Sequence, residues 1–227
     1  MEATGWEAVL NLDATAGRRG GYFFFNEYGN IFLENRYTDW QNYYPYWTLR
    51  NLWILSAYVP PQTLQIEFLN KWRNREKYGD DRFAPDRYSF DYLFAITIAA
   101  QPLAWLEAAN LPEEAFQTGE VIQKYRSIQH DFHTGDIFPI GEEPSGKSWC
   151  GFQSVKGNEG YILVFREDNE WNRQDIMCFF DAGETVQFTP ILGNGKEFNA
   201  VVTTGKKIGF TLPSPNSYAL YHYTKLI

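Results

Sequence analysis

Cysteine is scarce in this chain of 227 residues, and an excess of positive charge is lacking. The two cysteines, Cys150 and Cys178, fit no metal-binding spacing, and we expect buried free thiols rather than a disulfide. Lys and Arg number 20 against 28 Asp and Glu, so the net charge is -8 and no broad basic face can neutralise phosphates. We therefore expect neither a nucleic-acid partner nor an anionic membrane surface.

Long apolar runs are also absent. No stretch approaches the roughly 20 residues of a membrane span, and the opening Met1–Gly5 has neither the basic nor the apolar region of a signal peptide. The sequence thus predicts a soluble chain with no signal peptide, of unknown location. His130 and His133 lie near a predicted helix end without a third ligand, which favours a solvated helix end over a metal site. No metal or cofactor is expected.

Aromatic residues, in contrast, are abundant, at 18% of the chain with eight Trp. Aromatic rings lie flat against the C–H faces of sugars, so this excess in an acidic chain raises the expectation of carbohydrate binding. A well-packed aromatic core explains the same composition equally well. The 44% hydrophobic content is enough for one sizeable core or two small ones.

The first part of the chain has an α/β pattern. Four short apolar runs without polar alternation are typical of parallel strands covered on both faces. Residues 48–59 predict a helix with Thr48 at its N-cap. A short helix is predicted over 102–108 and a long one over 113–132, ended by Gly135. The four expected strands are Ala8–Ala14, Ile31–Asn35, Leu64–Asn70 and Asp91–Ala99.

From about Gly141 the pattern changes to short alternating strands, typical of an antiparallel sandwich. Turn signals at Gly157-Asn158 and at 193–195 fall between these strands. The sequence therefore predicts α/β plus all-β architecture, divided into residues 1–140 and 141–227. The expected strands are Gly151–Val155, Tyr161–Glu167, Ile176–Phe180, Thr185–Ile191, Phe198–Thr203, Lys207–Leu212 and Tyr218–Thr224.

The densest polar cluster follows the second expected strand, at residues 34–40. Functional side chains gather where parallel strands end, and glycosidic bond cleavage needs a carboxyl group that protonates the leaving oxygen. Arg36 is suited to binding sugar hydroxyls and Trp40 to stacking on the ring. A surface Arg–Asp pair in a polar loop is the other interpretation. The cluster contains Glu34, Asn35, Arg36, Asp39 and Trp40.

Other strand ends repeat this pattern more weakly. Asp13 lies at the end of the first expected strand, and Asn70 and Trp72 follow the third. Glu67 lies within the third strand and fits either a satisfied polar group or a ligand contact. The glycine-rich turn at 17–21 lacks the spacing of a phosphate-binding fingerprint, so nucleotide binding is excluded.

The order of these parts resembles the C-terminal half of glycoside hydrolase family 36 and its relatives in the α-galactosidase clan. In that family the fifth barrel strand ends in a glycine-rich turn with an Arg, the sixth carries the acid/base Asp, and a β-sandwich follows the last barrel helix. The resemblance implies the C-terminal half of a (β/α)8 TIM barrel, strands five to eight, followed by an antiparallel β-sandwich. The matching segments are Asp13–Gly21, Leu33–Asp39, Gln123–Arg126, Gly135-Asp136 and the region from Gly141.

The resemblance also implies a retaining α-galactosidase-like mechanism that uses two carboxylates. Asp39 is the preferred acid/base, with Glu34 as the other candidate. The family's nucleophilic Asp lies on the fourth strand, which would precede residue 1, so we expect an inactive fragment when the chain is alone. The residues implied to line the sugar pocket are Asp13, Asn35, Arg36, Trp40, Asn70 and Trp72.

Half a barrel leaves two sheet edges unpaired. We therefore expect association with a second copy or with the missing N-terminal half of the barrel, in addition to a carbohydrate substrate. Two other functions stay open, namely a non-catalytic carbohydrate-binding protein and a structural interaction module. The sequence does not specify which sugar binds.

Overall fold

The structure is a computed structural model, and within the part that it describes the chain is a mixture of helices and sheets. No helix in this part is both long and apolar enough to cross a membrane. The described residues are 44–68, 70–72, 75–103 and 111–226, together with the backbone of 10–13 and 29–34.

The first part contains a four-stranded parallel sheet in the order β1-β2-β3-β4. Because neighbouring strands run parallel, all four end at the same edge of the sheet. The strands are β1 (Leu10–Asp13), β2 (Gly29–Glu34), β3 (Leu64–Glu67) and β4 (Gln101–Leu103). The helices described are α1 (Pro45–Leu55), α2 (Phe90–Ala95) and α3 (Gly119–Thr134), with 3₁₀ turns at Pro61–Thr63, Arg75–Lys77, Pro85–Arg87 and Glu113–Thr118.

Three of the four expected parallel strands are confirmed, and the fourth is wrong. The expected strand Asp91–Ala99 forms most of α2 and the turns after it, and the Ser89 hydroxyl caps this helix by accepting from the Tyr92 N–H at 3.2 Å. The run is buried on almost every side, and a short apolar run buried in this way does not distinguish a helix from a strand. The fourth strand is instead β4, which overlaps the short helix expected at 102–108.

The two other expected helices are confirmed with shifted boundaries. Helix α1 begins at Pro45, where the missing proline N–H costs nothing because the first turn has no partner for it. The sequence predicts Thr48 as the N-cap of this helix. Thr48 is instead a buried residue inside it. The long helix begins with the 3₁₀ turn Glu113–Thr118 and continues as α3, with Gly135 at its C-cap.

The second part is antiparallel, with a six-stranded sheet in the order β10-β9-β12-β7-β6-β5 and a two-stranded sheet of β11 and β8. All seven strands expected here are found. An eighth, β5, begins at Asp136, just before the expected domain boundary, and pairs with β6. The strands are β5 (Asp136–Gly141), β6 (Trp149–Lys156), β7 (Glu159–Arg166), β8 (Arg173–Met177), β9 (Thr185–Gly193), β10 (Phe198–Val201), β11 (Lys207–Thr211) and β12 (Ser217–Leu226).

Both faces of the six-stranded sheet are buried. Leu163 and Phe165 of β7 pack in a core shared with α1, α2, α3 and β3. Ile162 and Val164, which alternate with them, pack in a second core shared with the two-stranded sheet. The two free cysteines are buried, one in each core, as expected. The sheet is therefore the middle layer of the described structure.

The outer strand β5 has two features that cover its backbone. Pro139 lies within it and has no N–H to donate. The Trp53 indole N–H of α1 donates to the Ile140 carbonyl at 3.0 Å. Pro139 therefore leaves β5 one donor short, and the Trp53 bond ties β5 to α1 of the α/β part.

A partly buried polar network lies beside the amino ends of β3 and β4. The His133 Nε2 atom lies 3.0 Å from the Ile98 carbonyl, and its Nδ1 atom lies 3.4 Å from the Gln101 amide nitrogen. These contacts fit a neutral ring with the proton on Nε2. Burial lowers the pKa of His133, so it is not the solvated helix end that the sequence indicates.

We expect His133 to make stability depend on pH. Its lowered folded-state pKa means that the unfolded chain binds more protons, so this contribution is complete above the unfolded pKa of 6.5 and is lost as the pH falls through the folded pKa. Urea unfolding should give a free energy that falls between pH 7 and pH 5. The fall should be smaller in His133→Gln and unchanged in His130→Gln, which alters an exposed residue. Equal slopes in all three proteins would contradict this assignment.

Phe165 should contribute strongly to stability because it joins the two parts. It is fully buried, and its ring lies 5.4 Å from Tyr92 of α2 and 6.1 Å from Tyr218. We expect Phe165→Ala to lower the free energy of unfolding by about 3–5 kcal/mol. Phe116→Ala, which alters an exposed ring, should change it by less than about 0.5 kcal/mol in the same urea titration. Similar losses in both variants would contradict the assigned role.

Candidate functional site

The carboxyl edge of the parallel sheet gathers polar residues. In the sheet register Glu34 lies opposite Ile66, and Glu67 lies opposite Leu103. Glu67 is 2% exposed, so the last residue of β3 places a carboxyl group in a buried position. Loops after such strands are where α/β proteins build their binding sites. The four strands end at Asp13, Glu34, Glu67 and Leu103.

The segment after β3 is held by two of its own side chains. The buried Asn70 accepts the Trp72 backbone N–H on its Oδ1 atom at 3.1 Å. The Lys71 ammonium donates to the Tyr88 carbonyl at 2.6 Å. Asn70 therefore closes a local turn, while Lys71 ties that turn to the segment before α2.

Trp72 is fixed by contacts from two helical elements. Its ring stacks on Phe90 of α2, with centroids 5.4 Å apart and an angle of 18° between the planes. Its indole N–H donates to the carboxylate of Glu114, which lies in the 3₁₀ turn before α3. These contacts orient the ring, and its partly buried surface lines a cleft of ≈ 440 Å³.

Charged groups surround the Trp72 ring in this cleft. Asp91, Glu114 and Lys71 line it, beside the starts of α2 and α3. Burial raises the pKa of Asp91 and lowers that of Lys71, because both charged forms lose hydration. An aromatic face ringed by hydrogen-bonding groups of both signs can hold a polyhydroxylated ligand, through stacking on C–H faces and bonds to hydroxyls.

The structure brings some of the predicted site residues together. Asn70 and Trp72 lie in one turn beside the cleft. Asp13 and Glu34 end neighbouring strands at the same edge of the sheet. The predicted residues that lie outside the described part of the chain are Asn35, Arg36, Asp39 and Trp40.

Sequence reasoning missed the other members of the cleft. Asp91 falls in the run that was expected to be a strand, and Lys71 lies between two predicted site residues without a signal of its own. Glu114 lies 42 positions after its partner Trp72, so no local pattern joins them. The sequence before Glu114 gives no indication that this residue lies beside Trp72.

In the part of the chain that the structure describes, the other candidate sites do not lie at the loops that follow the parallel strands. Among the described residues, no group of three or more His, Cys, Asp or Glu side chains could hold a metal ion. Two larger grooves, of ≈ 530 and ≈ 640 Å³, lie on the antiparallel part. All their lining residues come from 139–225, so neither includes a loop that follows a parallel strand.

Comparison with known proteins gives similarity in structure only. No protein-family profile and no curated protein matches the sequence. The galactosidase domain of the α-galactosidase-sucrose kinase AgaSK superposes with a TM-score of 0.62 and 13% identity, covering 88% of this chain and 26% of that one. The GH36 α-galactosidase AgaA from Geobacillus stearothermophilus gives 0.59 and 10%, covering 87% and 26%. An Anoxybacillus α-amylase gives 0.61 and 10%, covering 100% and 54%.

The resemblance to α-galactosidases of glycoside hydrolase family 36 is therefore confirmed as a likeness of fold. The chain spans about a quarter of the length of the two α-galactosidase chains and about half of the amylase chain. The chain therefore shares the fold of these parts of the two α-galactosidases and of the α-amylase.

We expect the raised pKa of Asp91 to make the stability of the chain depend on pH. The folded-state pKa of Asp91 is raised above 3.8, so the folded chain binds more protons than the unfolded chain. Stability therefore falls as the pH rises from 3.8 through the folded-state pKa. Asp91→Asn should match the original chain in unfolding free energy at pH 3 and exceed it at pH 7. Carbon-13 titration of the Asp91 carboxyl should give a midpoint above 3.8. A midpoint at or below 3.8 would contradict the buried placement.

Proposed function

We propose that this chain carries part of the sugar site of a retaining glycoside hydrolase of the α-galactosidase kind. The observation that carries the proposal is the cleft at the carboxyl edge of the parallel sheet, where Trp72 is oriented by Phe90 and Glu114. The likeness of fold to α-galactosidases and α-amylases supports the same class. An α-galactoside is the proposed substrate.

In the proposed mechanism Asp39 protonates the leaving oxygen and then activates water, with Glu34 as the other candidate for this role. Retention needs a second carboxylate about 5–5.5 Å from the first. We propose that this nucleophile comes from a polypeptide segment outside the 227 residues, so that the chain alone binds sugar without cleaving it. The proposed substrate-binding residues are Asp13, Asn35, Arg36, Trp40, Asn70 and Trp72.

The architecture that we propose is the C-terminal half of a (β/α)8 barrel over residues 1–140, followed by a β-sandwich over 141–227. Four parallel strands in sequential order, with α2 and α3 following β3 and β4, support the barrel half. The missing strands would come from an N-terminal half or from a second copy of the chain. Either partner would pair with the open edges of β1 and β4.

Binding of raffinose tests the proposed site. Removing the Trp72 ring should weaken binding at least about tenfold, because stacking on the sugar face is lost. The measurement is isothermal titration calorimetry with the full chain and with Trp72→Ala. Trp171→Ala is the matched control, because Trp171 is a 72% exposed indole in the antiparallel part. Its affinity should equal that of the original chain.

The same proteins distinguish the other functions. Cleavage of an aryl α-galactoside by the chain alone would overturn the proposed absence of the nucleophile and exclude a non-catalytic binding protein. Raffinose affinity that Trp72→Ala leaves unchanged would overturn the assignment of the cleft. Asp39→Asn should abolish turnover once the missing half is supplied, whereas turnover that persists would move the acid/base role to Glu34.

A further inference from the structure

The antiparallel part contains a groove that the proposed active site does not use. It has a volume of ≈ 640 Å³ and lies where the outer strand β10 of the six-stranded sheet approaches β11 of the two-stranded sheet. Strand β10 pairs only with β9, and β11 only with β8, within the described residues. The groove thus runs along the side of the sandwich where the outer strand β10 of one sheet lies near β11 of the other.

Phe198 gives this groove a rigid aromatic wall. Its ring stacks on its cross-strand partner Phe188, with centroids 4.6 Å apart and only 11° between the planes. Phe210 and Tyr221 meet it edge-on at 5.9 and 5.7 Å. One face of the Phe198 ring is therefore covered by Phe188, and the partly buried ring also lines the groove.

Gly209 makes room for two charged side chains beside this ring. It lies opposite Asp175 in the register of β11 and β8. A Cβ atom at this position would meet the Asp175 Oδ1 atom at 2.8 Å and would also collide with the Arg173 guanidinium. Arg173 and Asp175 lie 3.9 Å apart beside Gly209, which leaves space for both side chains. The pair offers a donor and an acceptor to the groove.

The loop before β10 completes the site. A Cβ atom on Gly195 would meet the ring of Tyr221, so the glycine lets this loop pack directly onto the floor of the groove. The neighbouring Glu197 is held by the Gln187 amide, which donates to its carboxylate at 3.0 Å. The loop therefore adds a second carboxylate to the lining.

We propose that this groove binds an uncharged oligosaccharide, separately from the cleft at Trp72. An aromatic ring stacked on Phe188 suits the C–H face of a sugar ring, and the carboxylate and guanidinium groups in the same lining suit its hydroxyls. The lining contains two carboxylates, Asp175 and Glu197, and three cations, Arg173, Lys196 and Lys207. These charges nearly cancel, which suits an uncharged ligand better than a polyanion. The volume is within the range of ligand pockets, about 300–1,000 Å³. The inference does not require the hydrolase function.

Amide NMR titration of the full chain with raffinose and with maltotriose tests the inference. At least one sugar should produce saturable shifts at Phe198 and Gly209. Phe198→Leu, which keeps an apolar side chain but removes the flat face, should weaken binding at the groove by about tenfold or more. Asp175→Asn should weaken it without altering the fold. Asp136→Asn, an exposed carboxylate on the opposite outer strand β5, should have no effect.

The variant Trp72→Ala distinguishes binding at the two sites, because it should leave the titration of the groove unchanged. Shifts confined to the Trp72 cleft would overturn the groove proposal while leaving the proposed function intact. An equal response of the groove to inorganic phosphate would also overturn it, because the site would then bind anions. Groove binding that persists in Trp72→Ala and is lost in Phe198→Leu would support it, whether or not the cleft binds sugar.

Discussion

The described structure depends on a six-stranded sheet that is buried on both faces. Successive residues of β7 alternate between two cores, with Phe165 facing one and Val164 the other. A shift of one residue in pairing would exchange these two sets, so the register is strongly determined. The rings of Phe165 and Tyr218 also contact Tyr92 of α2. The position of α2, and with it the cleft, therefore follows from packing on this sheet.

Local signals in the sequence are sufficient to locate most strands of the antiparallel part. Gly157 and Gly193 adopt positive φ values of 62° and 79° at strand junctions, as the turn pattern predicts. Local signals of this kind do not predict the structure of residues 90–100. It is apolar without periodicity because it is buried nearly all round, and whether it forms strand or helix is decided by the layers on either side of it.

The candidate site is only partly encoded in local sequence. Asn70 and Trp72 can be predicted because they follow a recognisable buried strand. The groups that orient Trp72 cannot, since Phe90 and Glu114 reach it from later elements whose approach depends on tertiary packing. The pKa of Asp91 is likewise raised by burial rather than by any neighbour in sequence. The roles of Asp39, Arg36 and Trp40 stay predictions.

The proline within the outer strand β5 has a consequence for contacts between molecules. A strand from a neighbouring chain can extend a sheet only where free N–H and carbonyl groups alternate along its border. Pro139 removes one donor from β5, and Trp53 of α1 binds the neighbouring residue Ile140. Fibril-like growth by strand addition is therefore disfavoured at β5.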